Sequence, residues 1–338
     1  GKDVTMITDL KVVIPQSDFD DFQREKQELA KIGAQLIIEN CKSEDEIITQ
    51  TCEADALLVE YCPITEKVIE NLCHCQVIVR YGIGVDNIDL IAATRKGIPV
   101  VNVPDYGIDI VADHSMALLL AAARKIVQLN EVIKQGNWDY KNSQPMYQLQ
   151  GKKIGIFGFG RIGRLVAERA RGFGLDIQVC DPFISAATVG ELGVSLVDFS
   201  TLVRTSDFIS LHAPANDTNY HKFNLEIFKS MKRTAILINT SRGKLVDESA
   251  LFTALQQGYI SGAGLDVTET EPFPSGSPLV QLSNVVITPH VAWYTEESQV
   301  RLQTKAAQEV VRVLTGYMPL NLVNFELRDH LRSLGLKE

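Results

Sequence analysis

Four things are missing from this 338-residue chain, and each absence narrows what it does. There is no apolar run near the roughly 18 residues that a membrane-spanning helix needs. The longest apolar block, Met116 to Ala123, is far shorter and falls in an amphipathic stretch. No signal peptide is visible, and the opening Gly1 in place of Met is what a processed tag would leave. There is no basic excess either, since 33 Lys and Arg face 42 Asp and Glu for a net charge of −9. That balance argues against nucleic acid or an anionic membrane surface as a partner. A small anionic substrate would therefore have to be captured by local arginines. Finally, the six cysteines (Cys41, Cys52, Cys62, Cys73, Cys75, Cys180) lack order. Cys73-His74-Cys75 has no second ligand pair at metal spacing, so no metal is expected. Reduced structural thiols and a cytoplasmic location follow.

What the chain does have is alternation. Short apolar runs at Val12–Pro15, Gln35–Ile38, Ala56–Val59, Val77–Arg80 and Val100–Val103 read as one series of strands. Ile154–Phe157, Ile177–Cys180, Phe208–Leu211, Ala235–Asn239, Gly264–Val267 and Val285–Thr288 read as a second. Continuous apolar strands separated by helical stretches imply parallel sheets covered on both faces. The fold class is therefore α/β, with two doubly wound, Rossmann-like domains and a cleft between them. One helix is expected over Phe19–Ile32, capped by Ser17 or Asp18. Another is expected over Asp109–Gly136, and a third over Thr295–Thr315, stopped at Gly316. Leu320–Phe325 is apolar enough to pack. The expected division is a substrate domain of residues 1–102 plus 294–338 and a nucleotide-binding domain of residues 103–293.

The most informative stretch is Lys153 to Gly163, an apolar strand running into Gly158-Phe159-Gly160-Arg161-Ile162-Gly163 and then a helix. Gly158 permits the tight turn, Gly160 lets the backbone approach a pyrophosphate, and Gly163 lets helix and strand pack closely. The helix N-terminus presents N–H groups and a positive dipole end to phosphates. Asp181 closes the unit at the end of the next strand. Its carboxylate can accept both ribose hydroxyls and would repel a 2′-phosphate, so NAD is favoured over NADP.

Ligands of open α/β sheets sit at the carboxyl ends of strands. Those ends supply His212-Ala213-Pro214, Thr240-Ser241-Arg242, Asp266 with Glu269 and Glu271, and Pro289-His290. A guanidinium such as Arg242 can hold a 2-oxo acid carboxylate with two hydrogen bonds. An imidazolium such as His290 can give a proton to a carbonyl oxygen as hydride reaches its carbon. A carboxylate beside it favours the charged ring and fixes its orientation. Glu271 fits that part, although Glu269 and Asp266 are close rivals and only the following Pro272 separates them.

At this point the chain resembles the D-isomer-specific 2-hydroxyacid dehydrogenase family, along nearly its whole length. The blocks that carry the resemblance are Arg80-Tyr81-Gly82-Ile83-Gly84-Val85-Asp86-Asn87-Ile88-Asp89, the glycine motif, Asn239 to Gly243, Gly264 to Val267 with Glu271-Pro272, and Thr288-Pro289-His290. Glu271-Pro272-Phe273 and His290-Val291-Ala292-Trp293-Tyr294 look most like the C-terminal-binding-protein branch. The resemblance implies Arg242, Glu271 and His290 as the catalytic set. It places Arg161 and Ile162 on the pyrophosphate, and Asp181 on the adenine ribose. Ala213 and Pro214 would lie beside the cofactor, with Thr240, Ser241 and Asp266 near the nicotinamide. Gly82, Ile83 and Gly84 would grip the substrate carboxylate, and Arg80 and Trp293 would line its pocket. Val111 departs from the polar residue that some relatives carry. Glu60, at the end of a strand in the first series, would turn a carboxylate on dicarboxylate substrates.

The expected activity is reversible NAD-dependent reduction of a 2-oxo acid to a D-2-hydroxy acid, with aromatic or bulky substrates suggested by Tyr81 and Trp293. The branch resemblance also admits an NAD-sensing, corepressor-like binding module. A phosphoglycerate dehydrogenase would need basic residues beyond Arg80 and Arg242. The helix before Gly136 and the loop with Trp138, Tyr140, Met146 and Tyr147 read as an intersubunit arm, and the family resemblance implies a homodimer.

Overall fold

The structure is a computed structural model that describes residues 9–338. The chain divides into two compact units. One holds the described residues up to Gly107 together with Thr295–Glu338, and the other is Ile108–Tyr294. The first boundary thus falls at 107/108 rather than 102/103. Residues 103–107 stay with the first unit because Val103 N–H donates to the Gly82 carbonyl, Lys305 pairs with Asp105 and Arg301 donates to the Tyr106 carbonyl. The second boundary falls at 294/295, where Thr295 caps the next helix.

The first unit carries five strands: β1 (Lys11–Ile14), β2 (Gln35–Ile38), β3 (Ala56–Val59), β4 (Val77–Arg80) and β5 (Val100–Val101). They are all parallel, in the order β2-β1-β3-β4-β5. β3 is buried at every position, as expected of a central strand covered on both faces. The first helix is shorter than its sequence pattern implies, running Gln23–Ala30. Ser17 and Asp18 do not cap it, because the Ser17 hydroxyl and the Asp18 N–H both donate to Glu60, at 2.5 and 2.9 Å. Glu60 is only 4% exposed and serves as a tether within its own unit, not as an outward-facing acid. Burial, first, pushes its carboxyl above the ordinary carboxylate value. Of the Leu320–Phe325 segment, Leu320 and Phe325 are exposed, while Leu322 packs beside Met318 and Leu331.

The second unit carries β6 (Lys153–Phe157), β7 (Asp176–Cys180), β8 (Ser195–Leu196), β9 (Phe208–Leu211), β10 (Ile236–Asn239), β11 (Gly262–Leu265) and β12 (Val285–Ile287). Their order is β12-β11-β10-β9-β6-β7-β8, again parallel throughout. β8, two residues long, gives no periodic signal and is absent from the sequence reading. The order reverses between β6 and β9, which marks the crevice where an open α/β sheet takes its ligand. Phe157, Ile209, Leu211, Phe223 and Leu237 belong to one apolar layer and Phe208 to the other.

The helix expected over Asp109–Gly136 is two helices, Ile108–Ala123 and Ile126–Lys134. Lys125 breaks it with a left-handed φ of 52°, a conformation that no apolar pattern announces. The first of the two packs closely on β11, since a β-carbon on Gly264 would stand 3.0 Å from Leu118 Cβ. No helix among the described residues is long and apolar enough to cross a membrane.

Candidate active site

Strand register sets the site of the second unit. Phe157 lies opposite Cys180 and Leu211, Asn239 opposite Leu211 and Leu265, and Leu265 opposite Ile287. These last residues form one row across the sheet. The residues that follow them (Gly158, Asp181, His212, Thr240, Asp266 and Thr288) therefore emerge along one edge, although they span much of the sequence.

The glycine turn shows three different constraints. Gly158 has φ 92°, and a β-carbon there would stand 2.5 Å from the His212 carbonyl oxygen. At Gly163 a β-carbon would stand 2.4 Å from the Gly158 carbonyl oxygen, so the helix Arg161–Gly172 needs glycine to seat on the turn. At Gly160 nothing lies within 4 Å of such a carbon. That open space lies at the N-cap of an uncapped helix, where a pyrophosphate would sit, so the turn fits a dinucleotide. Arg161 is exposed and Ile162 half-buried at the first turn of that helix. Asp181 accepts the Phe159 N–H at 2.7 Å on one oxygen and the Phe183 N–H at 2.8 Å on the other. Each oxygen keeps a lone pair for a ribose hydroxyl.

Across the crevice, Ala213 is buried and Pro214 exposed. His212 Nε2 lies 2.7 Å from Ser210 Oγ, and burial pushes the imidazole down to about 3, so the ring is neutral at working pH. The Thr240 hydroxyl meets Ser115 at 2.8 Å, and Ser241 caps back onto Asn239. The Arg242 guanidinium donates to the Ser241 carbonyl at 2.7 Å.

The three acidic residues that the sequence leaves as rivals have three different partners. Glu271 Oε2 lies 2.6 Å from His290 Nδ1. Glu269 pairs with His221 instead. Asp266 accepts from Thr288 Oγ1 at 2.6 Å and from the N–H groups of Val291 and Ala292, each at 2.9 Å. Burial alone would raise the Glu271 carboxyl, but the hydrogen bond and charge of His290, the Thr268 N–H and the Arg242 charge hold it below the ordinary value. Arg242, Glu271 and His290 are thus electrostatic neighbours.

His290 has a φ of 52°, which costs a non-glycine residue about 1–3 kcal/mol. Hydrogen bonds to a charged acceptor contribute about 1.5–3 kcal/mol each, and Asp266 accepts three of them around this turn. The carboxylate outweighs the strain. Trp293 closes the turn by donating its indole N–H to the His290 carbonyl at 3.1 Å.

The other residues that the sequence singles out lie in the first unit. Arg80 stacks over Tyr61 with 5.5 Å to the ring centre, and its guanidinium donates to the Tyr81 carbonyl and to Asn87. Gly82 has φ 133°, and a β-carbon there would meet the Arg80 guanidinium. Ile83 is exposed and Gly84 half-buried, and Asn102 donates to the Ile83 carbonyl. Tyr81 is buried, with its hydroxyl donating to Glu25 at 2.7 Å, so it is not available as a substrate-facing ring. The supports His114, Ser115 and His221 have no motif around them, and the part that Thr288 plays within its Thr-Pro-His block shows only in the folded chain.

A doubly wound unit with a dinucleotide turn and a paired Glu–His beside an arginine defines a nicotinamide-dependent oxidoreductase. Residues 116–292 match the NAD-binding domain of D-isomer specific 2-hydroxyacid dehydrogenases, and the chain belongs to that family. It is an NAD-dependent enzyme that interconverts 2-oxo acids and D-2-hydroxy acids. The glyoxylate reductase of Korarchaeum cryptofilum is 42% identical over 285 residues, covering 83% of this chain and 86% of that one. The D-3-phosphoglycerate dehydrogenase of Methanocaldococcus jannaschii is 43% identical over 284 residues, and this chain spans 54% of its length. The solved D-lactate dehydrogenase of Escherichia coli superposes with a TM-score of 0.81 at 30% identity, covering 93% of this chain and all of that one. These relatives do not single out the C-terminal-binding-protein branch.

Proposed function

We propose that Arg242, Glu271 and His290 carry the reaction. The 2.6 Å contact between His290 Nδ1 and Glu271 is the observation that supports this reading most directly. With Nδ1 engaged, Nε2 is the nitrogen left for the keto oxygen, and the carboxylate stabilises the ring while it holds its proton. Arg242, on the adjacent loop, binds the substrate carboxylate through its forked N–H groups. NAD, when bound on Gly158–Gly163 and Asp181, supplies the hydride carrier. In reduction His290 gives its proton to the oxygen that becomes the hydroxyl, and in oxidation it takes that proton back.

The substrate we infer is a small 2-oxo acid without a phosphate, in keeping with the relatives named glyoxylate reductase. A phosphorylated substrate would call for added positive charge, and Glu60 puts a buried acid near Arg80 instead. The six thiols, none in a disulfide, fit a reducing cytoplasm. The test is steady-state NADH oxidation with glyoxylate and with a phosphorylated 2-oxo acid, for the wild type and for His290→Ala. The variant should lose about 10²- to 10⁴-fold in kcat. Near-normal turnover would remove His290 from the chemistry, and preference for the phosphorylated acid would overturn the substrate assignment.

A further inference from the structure

The Asp266 carboxylate that holds the His290 turn is itself held from outside the turn. His114 Nε2 lies 2.9 Å from Thr288 Oγ1 and 3.6 Å from Asp266 Oδ1. Thr288 donates its single hydroxyl proton to Asp266, so it can only accept from His114, and His114 must carry a proton on Nε2. His114 stands on the helix Ile108–Ala123, whose seat on β11 is fixed by Gly264. A directed chain of hydrogen bonds thus runs from that helix through Thr288 to Asp266. There it meets the N–H groups of Val291 and Ala292, which donate to the same carboxylate from the far side of His290. The Asp266 side chain is fully buried, so its oxygens depend on these donors rather than on solvent. His290 N–H also donates to the Asp266 carbonyl, which ties the turn to the same residue a second way.

We propose that His114 and Thr288 are positioning residues: they fix the Asp266 carboxylate and, through it, the left-handed turn that aims His290 at the substrate. This rests on His290 being the proton donor. Neither residue belongs to the glycine turn or to Asp181, so the grip on the pyrophosphate and the ribose should not depend on them.

The experiment compares Thr288→Val, Thr288→Ser, His114→Phe and His290→Ala in steady-state kinetics, with thermal melting as a control for folding. Valine keeps the shape of threonine and removes both hydrogen bonds, whereas serine keeps them. Thr288→Val should lower kcat about 10- to 100-fold, the scale of a misplaced catalytic group. Thr288→Ser should recover most of the loss. His114→Phe should lower kcat in the same way but less. The proposal is overturned if Thr288→Val keeps wild-type kcat while His290→Ala does not, which leaves the role of His290 intact. It is equally overturned if Thr288→Ser is as impaired as Thr288→Val. If His290→Ala itself turns over normally, the proposal falls together with the reading beneath it.

Discussion

The backbone of Gly243 runs so close to Thr268 that a β-carbon on the glycine would stand 2.0 Å from the Thr268 carbonyl oxygen. The obstructing atoms are backbone, so neither chain can step aside cheaply. Gly243 follows Arg242, and Thr268 donates its N–H to Glu271 at 3.1 Å. This contact therefore locks the Arg242 loop against the loop that carries Glu271. Gly243→Ala should cost about 1–3 kcal/mol of stability through overpacking. It should also lower kcat/KM for the keto acid by about 10- to 100-fold by shifting Arg242. Paired melting and kinetic measurements check this, and a variant with wild-type efficiency would mean that the two loops move independently.

Glu271 sets a pH dependence whose sign is fixed by its environment. Against the effect of burial, His290 leads the groups that hold its carboxyl below the ordinary value of 4.5. A carboxylate lowered on folding adds stability that is present above the unfolded value and is lost as pH falls through the folded one. The stability difference between wild type and Glu271→Gln should therefore shrink as pH drops below the ordinary carboxylate value. Denaturant unfolding at a series of pH values measures it. A difference that grows toward acid would contradict the pairing.

Asp181 holds the glycine loop through Phe159 and keeps lone pairs for the ribose. Asp181→Asn retains the size of the side chain and removes the charge. KM for NADH should rise about 10- to 100-fold, the range of one charged hydrogen bond, and discrimination against NADPH should narrow. The kcat at saturating NADH should hold. An unchanged KM would place the ribose elsewhere.

Self-association has its own test. Trp138 is 91% exposed and Tyr140 72%, far more than a monomer gains from burying such rings. A cavity of about 270 Å³ lies at the amino ends of the same sheet, lined by Val127, Met146, Tyr147, Phe208 and Val286. We infer a homodimer built on this face. Sedimentation should show a dimer for the wild type at micromolar concentration and dissociation for Trp138→Glu. A monomeric wild type would reject the arm.

The parts of this molecule that local sequence controls were legible in it. Continuous apolar runs located nearly every strand, and Gly158 to Gly163 with Asp181 located the nucleotide turn. What escaped depends on partners distant along the chain. The first helix begins at Gln23, and the Ser17 and Asp18 expected to cap it are held by Glu60 instead. The long helix breaks because Lys125 adopts a left-handed backbone. Glu271 is adjacent in sequence to rivals of the same chemistry, and only folding pairs it with His290 and gives Glu269 to His221. His114, which no local pattern marks, is half-buried and bonded to Thr288.

The three motif glycines answer to different masters. Without glycine at 158 or 163 the polypeptide would collide with itself, whether or not anything were bound. Gly160 has an ordinary φ of −78° and empty space where a side chain would go. An alanine there would leave the apoprotein content and trespass only on its guest. Of the three, Gly160 alone is glycine for the sake of the ligand, so a descendant that abandoned the dinucleotide would be free to change that position first.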